Sequence, residues 1–121
     1  MAKILVVDDL EDFRKLAMEI LGQKHEVYVA ASWDQINKYV FHENLDLVLV
    51  DVNMPILKGS EITEMLKKTA KGQAMKIVLF SSMDESELRR EAKKVGADGY
   101  IPKTFDGNLL LASIERYLRG K

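Results

Sequence analysis

The residues able to do chemistry are few, and each stands where an apolar run stops. Asp8 and Asp9 follow Ile4-Leu5-Val6-Val7, and Asp51 follows Leu47-Val48-Leu49-Val50. Ser81 and Ser82 follow Ile77-Val78-Leu79-Phe80, and Lys103 follows Tyr100-Ile101-Pro102. Taken singly, each has an ordinary explanation. Aspartate after a strand is a common turn or cap residue, acids at a helix start complement its dipole, and a loop lysine is solvated. Taken together they define a chemistry. Two carboxylates about 4 Å apart repel by roughly 4 kcal/mol at an effective dielectric of 20, so a fold that gathers three needs a compensating cation. Oxygen-only donors with positions left for water suit Mg²⁺ better than zinc. A carboxylate compensated in this way, beside an ammonium and a hydroxyl, can attack phosphorus. The metal, Lys103 and Ser81 would then stabilise charge on the equatorial oxygens of the transferred group.

That chemistry requires elements that bring the five places together. Apolar runs rich in branched residues occupy 4–7, 27–30, 47–50, 77–80 and, weakly, 100–101. Such runs are expected as buried strands of a parallel sheet. Between them the apolar period becomes helical. Phe13, Leu16, Ala17, Ile20 and Leu21 share one face, and Gly22 is expected to end that helix. Ser32 and Gln35 form a capping box before Trp33, Ile36 and Val40, and Asp84 and Glu87 form another before Leu88, Ala92 and Val95, with Gly96 as the stop. Ser60 is expected to cap a helix carrying Ile62, Met65 and Leu66, and Leu110, Ile114, Tyr117 and Leu118 form the last stripe. Five strands alternating with five helices predict a doubly wound α/β sandwich. Ligands of such folds bind at the carboxyl ends of the strands, near the point where strand order reverses. The acids, serines and lysine fall at those ends.

Composition sets the outer bounds. A chain of 121 residues, 47% hydrophobic, suffices for one domain with one core, expected to span 1–121. With no cysteine it has no disulfide, thiol catalysis or cysteine metal site. A formal net charge of -1 gives no electrostatic reason to expect nucleic acid or a membrane as partner. The first apolar run is too short for a signal-peptide core, and nothing reaches transmembrane length. A cytoplasmic location is expected. Dinucleotide-type glycine loops and a P-loop are absent from the sequence. His25 and His42 are not at metal-ligand spacing and are expected at the surface. Trp33 and Met65 are expected as core or helix-surface residues, and the basic stretch from Lys67-Lys68 to Lys71 as a solvated face.

The chain resembles the receiver domains of two-component response regulators over essentially its whole length. The resemblance is carried by Ile4-Leu5-Val6-Val7-Asp8-Asp9, by Leu47-Val48-Leu49-Val50-Asp51-Val52-Asn53-Met54-Pro55, by Gly59, by the run from 77 to Ser81, and by Gly96-Ala97-Asp98-Gly99-Tyr100-Ile101-Pro102-Lys103. It implies a five-stranded parallel sheet of order 2-1-3-4-5. It implies Asp51 as the phosphoacceptor, Asp9 as a direct Mg²⁺ ligand, Asp8 as a ligand acting largely through water, and the Asn53 backbone carbonyl as the remaining protein ligand. Ser81 matches the hydroxyl that bonds the phosphoryl group, Lys103 the lysine that pairs with it, and Tyr100 the aromatic whose rotamer moves with the switch. Asn53 and Met83 occupy positions expected to tune the lifetime of the adduct. Met83 could shield the acyl phosphate but cannot orient an attacking water.

The resemblance also implies a donor and a reader. The donor is a sensor histidine kinase or a histidine phosphotransfer protein. The reader is a protein docking on the face built from the fourth helix, fifth strand and fifth helix. The family usually follows its lysine with proline, often in a cis peptide. Here Thr104 follows. A cis bond before a non-proline residue costs about 3–4 kcal/mol, so the Lys103–Thr104 bond is expected to be trans, or cis under strain. Two other functions compete. A phosphohydrolase using an aspartyl phosphate typically carries a second aspartate two residues after the nucleophile, and here that place holds Asn53. A phosphorylation-independent interaction module would have no need of the intact acids.

Overall fold

The computed structural model describes residues 1–54, 58–68 and 74–120. Its strands are β1 (Lys3–Val7), β2 (Glu26–Ala30), β3 (Leu47–Asp51), β4 (Lys76–Ser81) and β5 (Gly99–Pro102). Helices α1 (Glu11–Leu21), α2 (Trp33–His42), α3 (Gly59–Lys67), α4 (Glu85–Val95) and α5 (Gly107–Arg119) alternate with them. The strands form one sheet of order β2-β1-β3-β4-β5, parallel at every pairing.

Strand alternation divides the core into two layers. Leu5, Val7, Val48, Val50, Ile77 and Leu79 face one side and pack with Ile36, Val40, Ile62, Leu66 and Leu88 of α2, α3 and α4. Ile4, Val6, Leu47, Leu49, Val78, Phe80 and Ile101 face the other side and pack with Phe13, Ala17 and Leu21 of α1 and Leu110 and Ile114 of α5. Central strands buried on both faces cannot show a polar alternation, which is why they read as continuous apolar runs. At the edge, β2 is mostly half-buried, and the strand shows it with Glu26 and Tyr28 alternating with its valines. Opposite it, β5 is held by Tyr117 of α5. The Tyr117 hydroxyl accepts from the Tyr100 N–H at 3.0 Å and donates to the Tyr100 carbonyl at 2.7 Å. Its ring lies so close to Gly99 that a β-carbon there would come within 2.1 Å of a ring atom.

Helix ends follow local chemistry in most places. Ser32 Oγ accepts from the Gln35 N–H, and the Gln35 side chain returns a bond to the Ala31 N–H. Asp84 caps α4 through the Ser86 N–H, and Gly96 ends it in the left-handed region at φ 78. Gly22 ends α1 in an ordinary right-handed conformation. One expectation for α3 is corrected. The helix begins at Gly59, so Ser60 lies inside its first turn and Lys58 stands at the cap position. Met65 is 56% exposed, while Ile62, Thr63 and Leu66 are buried. Packing on the sheet and α4 rotates the inward stripe toward Thr63 and carries Met65 out to solvent. Lys67 is also not simply solvated. Its ammonium pairs with Asp98 at 2.6 Å, and Asp98 also accepts from the Ile77 N–H. Lys71 and Pro55 lie outside the described residues.

Leu49 is fully buried in the central strand. Leu49→Ala is expected to destabilise the fold by about 2–5 kcal/mol, through lost burial and the cavity left behind. Urea unfolding monitored by circular dichroism should show the midpoint falling with little change in slope.

Candidate functional site

The site is built two residues beyond the last inward-facing core residues of β1, β3 and β5. Val6, Leu49 and Ile101 belong to the layer facing α1 and α5. Alternation therefore gives Asp8, Asp51 and Lys103 the same phase. The sheet pairing continues past the formal strand ends to hold them. The Asp8 N–H donates to the Ala30 carbonyl at 3.1 Å, and the Lys103 N–H donates to the Ser81 carbonyl at 2.9 Å.

Asp8 is fully buried and Asp51 is 4% exposed, whereas Asp9 is open to solvent. One carboxylate oxygen from each of Asp8, Asp9 and Asp51 lies within 4.8 Å of the others. Their remaining bonds are local: Asp8 Oδ1 accepts from the Leu10 N–H at 2.8 Å, and Asp51 Oδ1 from the Asn53 N–H at 3.0 Å. The Lys103 ammonium sits between the two buried acids, 3.2 Å from Asp8 Oδ2 and 3.4 Å from Asp51 Oδ2. Asp8 Oδ2 accepts no aligned hydrogen bond among the described residues despite being buried. Burial holds the Asp8 carboxyl above its ordinary range. The Leu10 N–H opposes that shift, the Asp51 charge reinforces it, and Lys103 lowers it again. One ammonium thus leaves three acids incompletely compensated. A buried carboxylate oxygen partnered among the described residues by that one ammonium, within an all-oxygen donor set, fits a hard divalent cation.

Ser81, 1% exposed, ends β4 on the opposite alternation phase, in line with Leu79. Its Oγ accepts from the Asn53 side-chain amide at 2.9 Å and from the Met83 N–H at 3.1 Å. Met83 packs against the core layer beneath α4. Tyr100 is half-buried, and its hydroxyl donates to Glu85 of α4 at 3.2 Å. The Lys103–Thr104 peptide bond is trans, as are all the described peptide bonds. Asp8, Asp9, Asp51 and Lys103 therefore meet at one point. Ser81 and Asn53 adjoin it, and Tyr100 and Met83 stand toward α4.

Some features were missed in the sequence. The Asn53 side chain contacts Ser81 rather than the acids, a contact between residues 28 apart that no local pattern announces. The Lys103 ammonium lies 5.4 Å from the Phe13 ring centroid and 5.2 Å from that of Phe80, although both rings read as plain core residues. His25 corrects the expectation of a surface histidine. Its side chain is 9% exposed, accepts from the Ala2 N–H at 3.1 Å and contacts Glu115 of α5 at 3.3 Å. The α1–β2 turn folds it inward, against β1 and α5. His42 is exposed.

The family model for the response regulator receiver domain matches residues 4–115. The chain is 36% identical over 121 residues to the chemotaxis protein CheY of Halobacterium salinarum, with 98% of each chain covered. It is 29% identical over 117 residues to the sporulation initiation phosphotransferase F of Bacillus subtilis, covering 96% of this chain and 93% of that one. Among solved structures, the chemotaxis protein CheY4 of Vibrio cholerae superposes with a TM-score of 0.89 at 29% identity, over 97% of this chain and 98% of that one. The chain belongs to the response regulator receiver family, the signalling domains of two-component systems. Among the described residues, no helix is long and apolar enough to cross a membrane.

The raised Asp8 value has a consequence for stability. In the cation-free protein, the folded state binds that proton more tightly than the unfolded state. Stability should therefore fall as the pH rises from the ordinary 3.8 through the raised folded value. Asp8→Asn should flatten that decline in chelator-treated protein and should weaken any rise in Tm caused by a divalent cation. Thermal unfolding across pH, with and without MgCl₂, is the measurement; an unaltered pH profile would remove Asp8 as its source.

Proposed function

We propose that the chain is a single receiver domain that takes a phosphoryl group onto Asp51, in a Mg²⁺-dependent reaction, and changes a protein-interaction surface in response. The observation that carries this reading is the convergence of Asp8, Asp9 and Asp51 with Lys103 wedged between the two buried acids. The similarity to a protein named a phosphotransferase supports it. Asp9, Asp51 and the Asn53 carbonyl would hold the cation, with Asp8 acting largely through water. When bound, the ion would neutralise charge on the incoming phosphoryl oxygens and on the acids themselves.

The donor is a phosphohistidine on a sensor kinase or phosphotransfer protein. An Asp51 carboxylate oxygen forms the new bond to phosphorus as the P–N bond breaks, and that electron pair returns to the donor imidazole. Lys103 already faces Asp51, so its N–H groups can turn from carboxylate to phosphoryl oxygen without a large move. The Ser81 Oγ accepts two hydrogen bonds, from Asn53 and Met83, which leaves its hydroxyl proton as the group to offer the phosphoryl oxygen. Drawing Ser81 toward Asp51 would release space behind β4. Tyr100 would leave Glu85 to enter it, changing the face of α4, β5 and α5. Energetically this is a shift between two states that phosphate contacts to different extents. Met83 is the residue expected to lengthen the adduct's life, and Asn53 can still orient a water.

Two outcomes are expected. Incubation with acetyl phosphate and MgCl₂ should give a covalent phosphoryl adduct by intact mass, which does not form when a chelator is present during the incubation and is absent from Asp51→Asn. A full-yield adduct on that variant would sink the assignment, and no adduct on the parent would favour the phosphorylation-independent module. Beryllofluoride with Mg²⁺ should shift amide resonances at Ser81, Tyr100 and across 84–105. Changes confined to the surroundings of Asp51 would eliminate the switch.

A further inference from the structure

The sheet order poses a problem of reach. Lys103 leaves β5, while its carboxylate partners stand on β3 and β1, with β4 in between. Neighbouring strands are about 4.8 Å apart, so the side chain must cross the end of β4 before its ammonium can meet Asp51. The β4 residue in the way is Phe80, which is registered between Asp51 on one side and Ile101 on the other. Its side chain belongs to the α1 and α5 layer, the side toward which Asp8, Asp51 and Lys103 also alternate. The Lys103 side chain, 12% exposed, ends 5.2 Å from the Phe80 ring centroid and 5.4 Å from that of Phe13. The two rings stack on each other, 4.8 Å apart at 28°. Phe105 braces Phe13 edge-on at 5.7 Å, and both stacked rings are buried.

An ammonium within about 6 Å of a ring centroid is attracted by the negative face of the ring. This attraction differs in kind from that of the carboxylates. A ring face holds the charge without taking up a directed N–H bond at carboxylate strength, so the N–H groups remain for oxygens. It also persists when a phosphoryl group or a metal alters the negative charge around Lys103. With Thr104 after it and a trans peptide, Lys103 has no proline on its C-terminal side to restrain the chain. Its flexible stem, with four carbons of rotamer freedom to lose, depends on its surroundings for a fixed endpoint.

We propose that Phe13 and Phe80 form an aromatic seat that positions the Lys103 ammonium against Asp8 and Asp51 and thereby sets the rate of phosphoryl transfer. The effect on rate rests on the reading of Asp51 as the acceptor; the seat itself does not. Phe80 is the primary face because the stem must pass over it. Phe13 closes the seat from α1 and couples the start of that helix to the lysine. Both are positioning residues, since they act only through Lys103.

The test uses the full chain with Phe80 replaced in turn by mono-, di- and trifluorophenylalanine, which keeps size and burial while weakening the ring face. Phosphorylation by acetyl phosphate with Mg²⁺ should slow with each fluorine, by about three- to tenfold over the series, while the unfolding midpoint stays near that of the parent. In a Lys103→Ala background the same series should have no graded effect. A rate independent of fluorination in the folded parent background, or an equal gradient without Lys103, would overturn the proposal. The second readout is the proton shift of the Lys103 ε-methylene, which ring currents should move upfield and which should return toward an ordinary lysine value in Phe80→Leu. If the parent accepts no phosphoryl group, the acceptor reading fails and this shift alone decides the seat: an ordinary lysine value in the parent refutes it, and an upfield one supports it.

Discussion

The balance among Asp8, Asp51 and Lys103 is the constraint on which the site depends. Two buried carboxylates and one ammonium meet at the carboxyl edge of the sheet, and a third acid, Asp9, opens to solvent beside them. Such an arrangement costs the fold desolvation and repulsion that a packed apolar cluster would avoid. The sheet can hold it because the rest of the central strands is a fully buried apolar core. Ile4 through Val7, Leu47 through Val50 and Ile77 through Leu79 are all without exposure. Stability is concentrated in the body of the sheet, and the unfavourable charge is confined to one rim.

Alternation along the strands then sorts the rim groups into two sets. Asp8, Asp51, Phe80 and Lys103 fall on the side of α1 and α5, whereas Ser81 falls on the side of α4. Asn53, two residues after Asp51, joins the sets. Its N–H bonds the Asp51 carboxylate and its side-chain amide bonds Ser81 Oγ. A change of charge at Asp51 is thus one residue removed from the end of β4, and the end of β4 is next to Tyr100 and α4. Hydrogen bonds already present therefore link the acid cluster to the end of β4. Tyr117 anchors the other side of β5 through both backbone groups of Tyr100.

The places where expectation and structure part share a cause. Lys67 reads as one of a run of solvated lysines, but Asp98, which bonds the end of β4, lies within its reach. His25 is expected at the surface, and only the approach of Ala2 and Glu115 shows it folded inward. In each case the deciding neighbour is far along the chain, and neither residue of the pair has an unusual sequence context.

By itself the sequence determined the strand and helix pattern, because buried parallel strands must be continuous apolar runs and each helix must carry a stripe. It also determined that Asp8, Asp9, Asp51, Ser81 and Lys103 stand at carboxyl ends, because each comes within two residues of the end of such a run. Only the tertiary structure decided which acids are buried, which oxygen is left to an ion pair alone, and where the ammonium comes to rest. Strand order puts β4 between Lys103 and its partners, and that intervening strand brings Phe80, with Phe13 stacked on it, beneath the charge. Contact between a lysine and two rings from three separate elements depends on the sheet's lateral order and on side-chain phase. Those are properties of the assembled sheet, which no single stretch of the sequence carries.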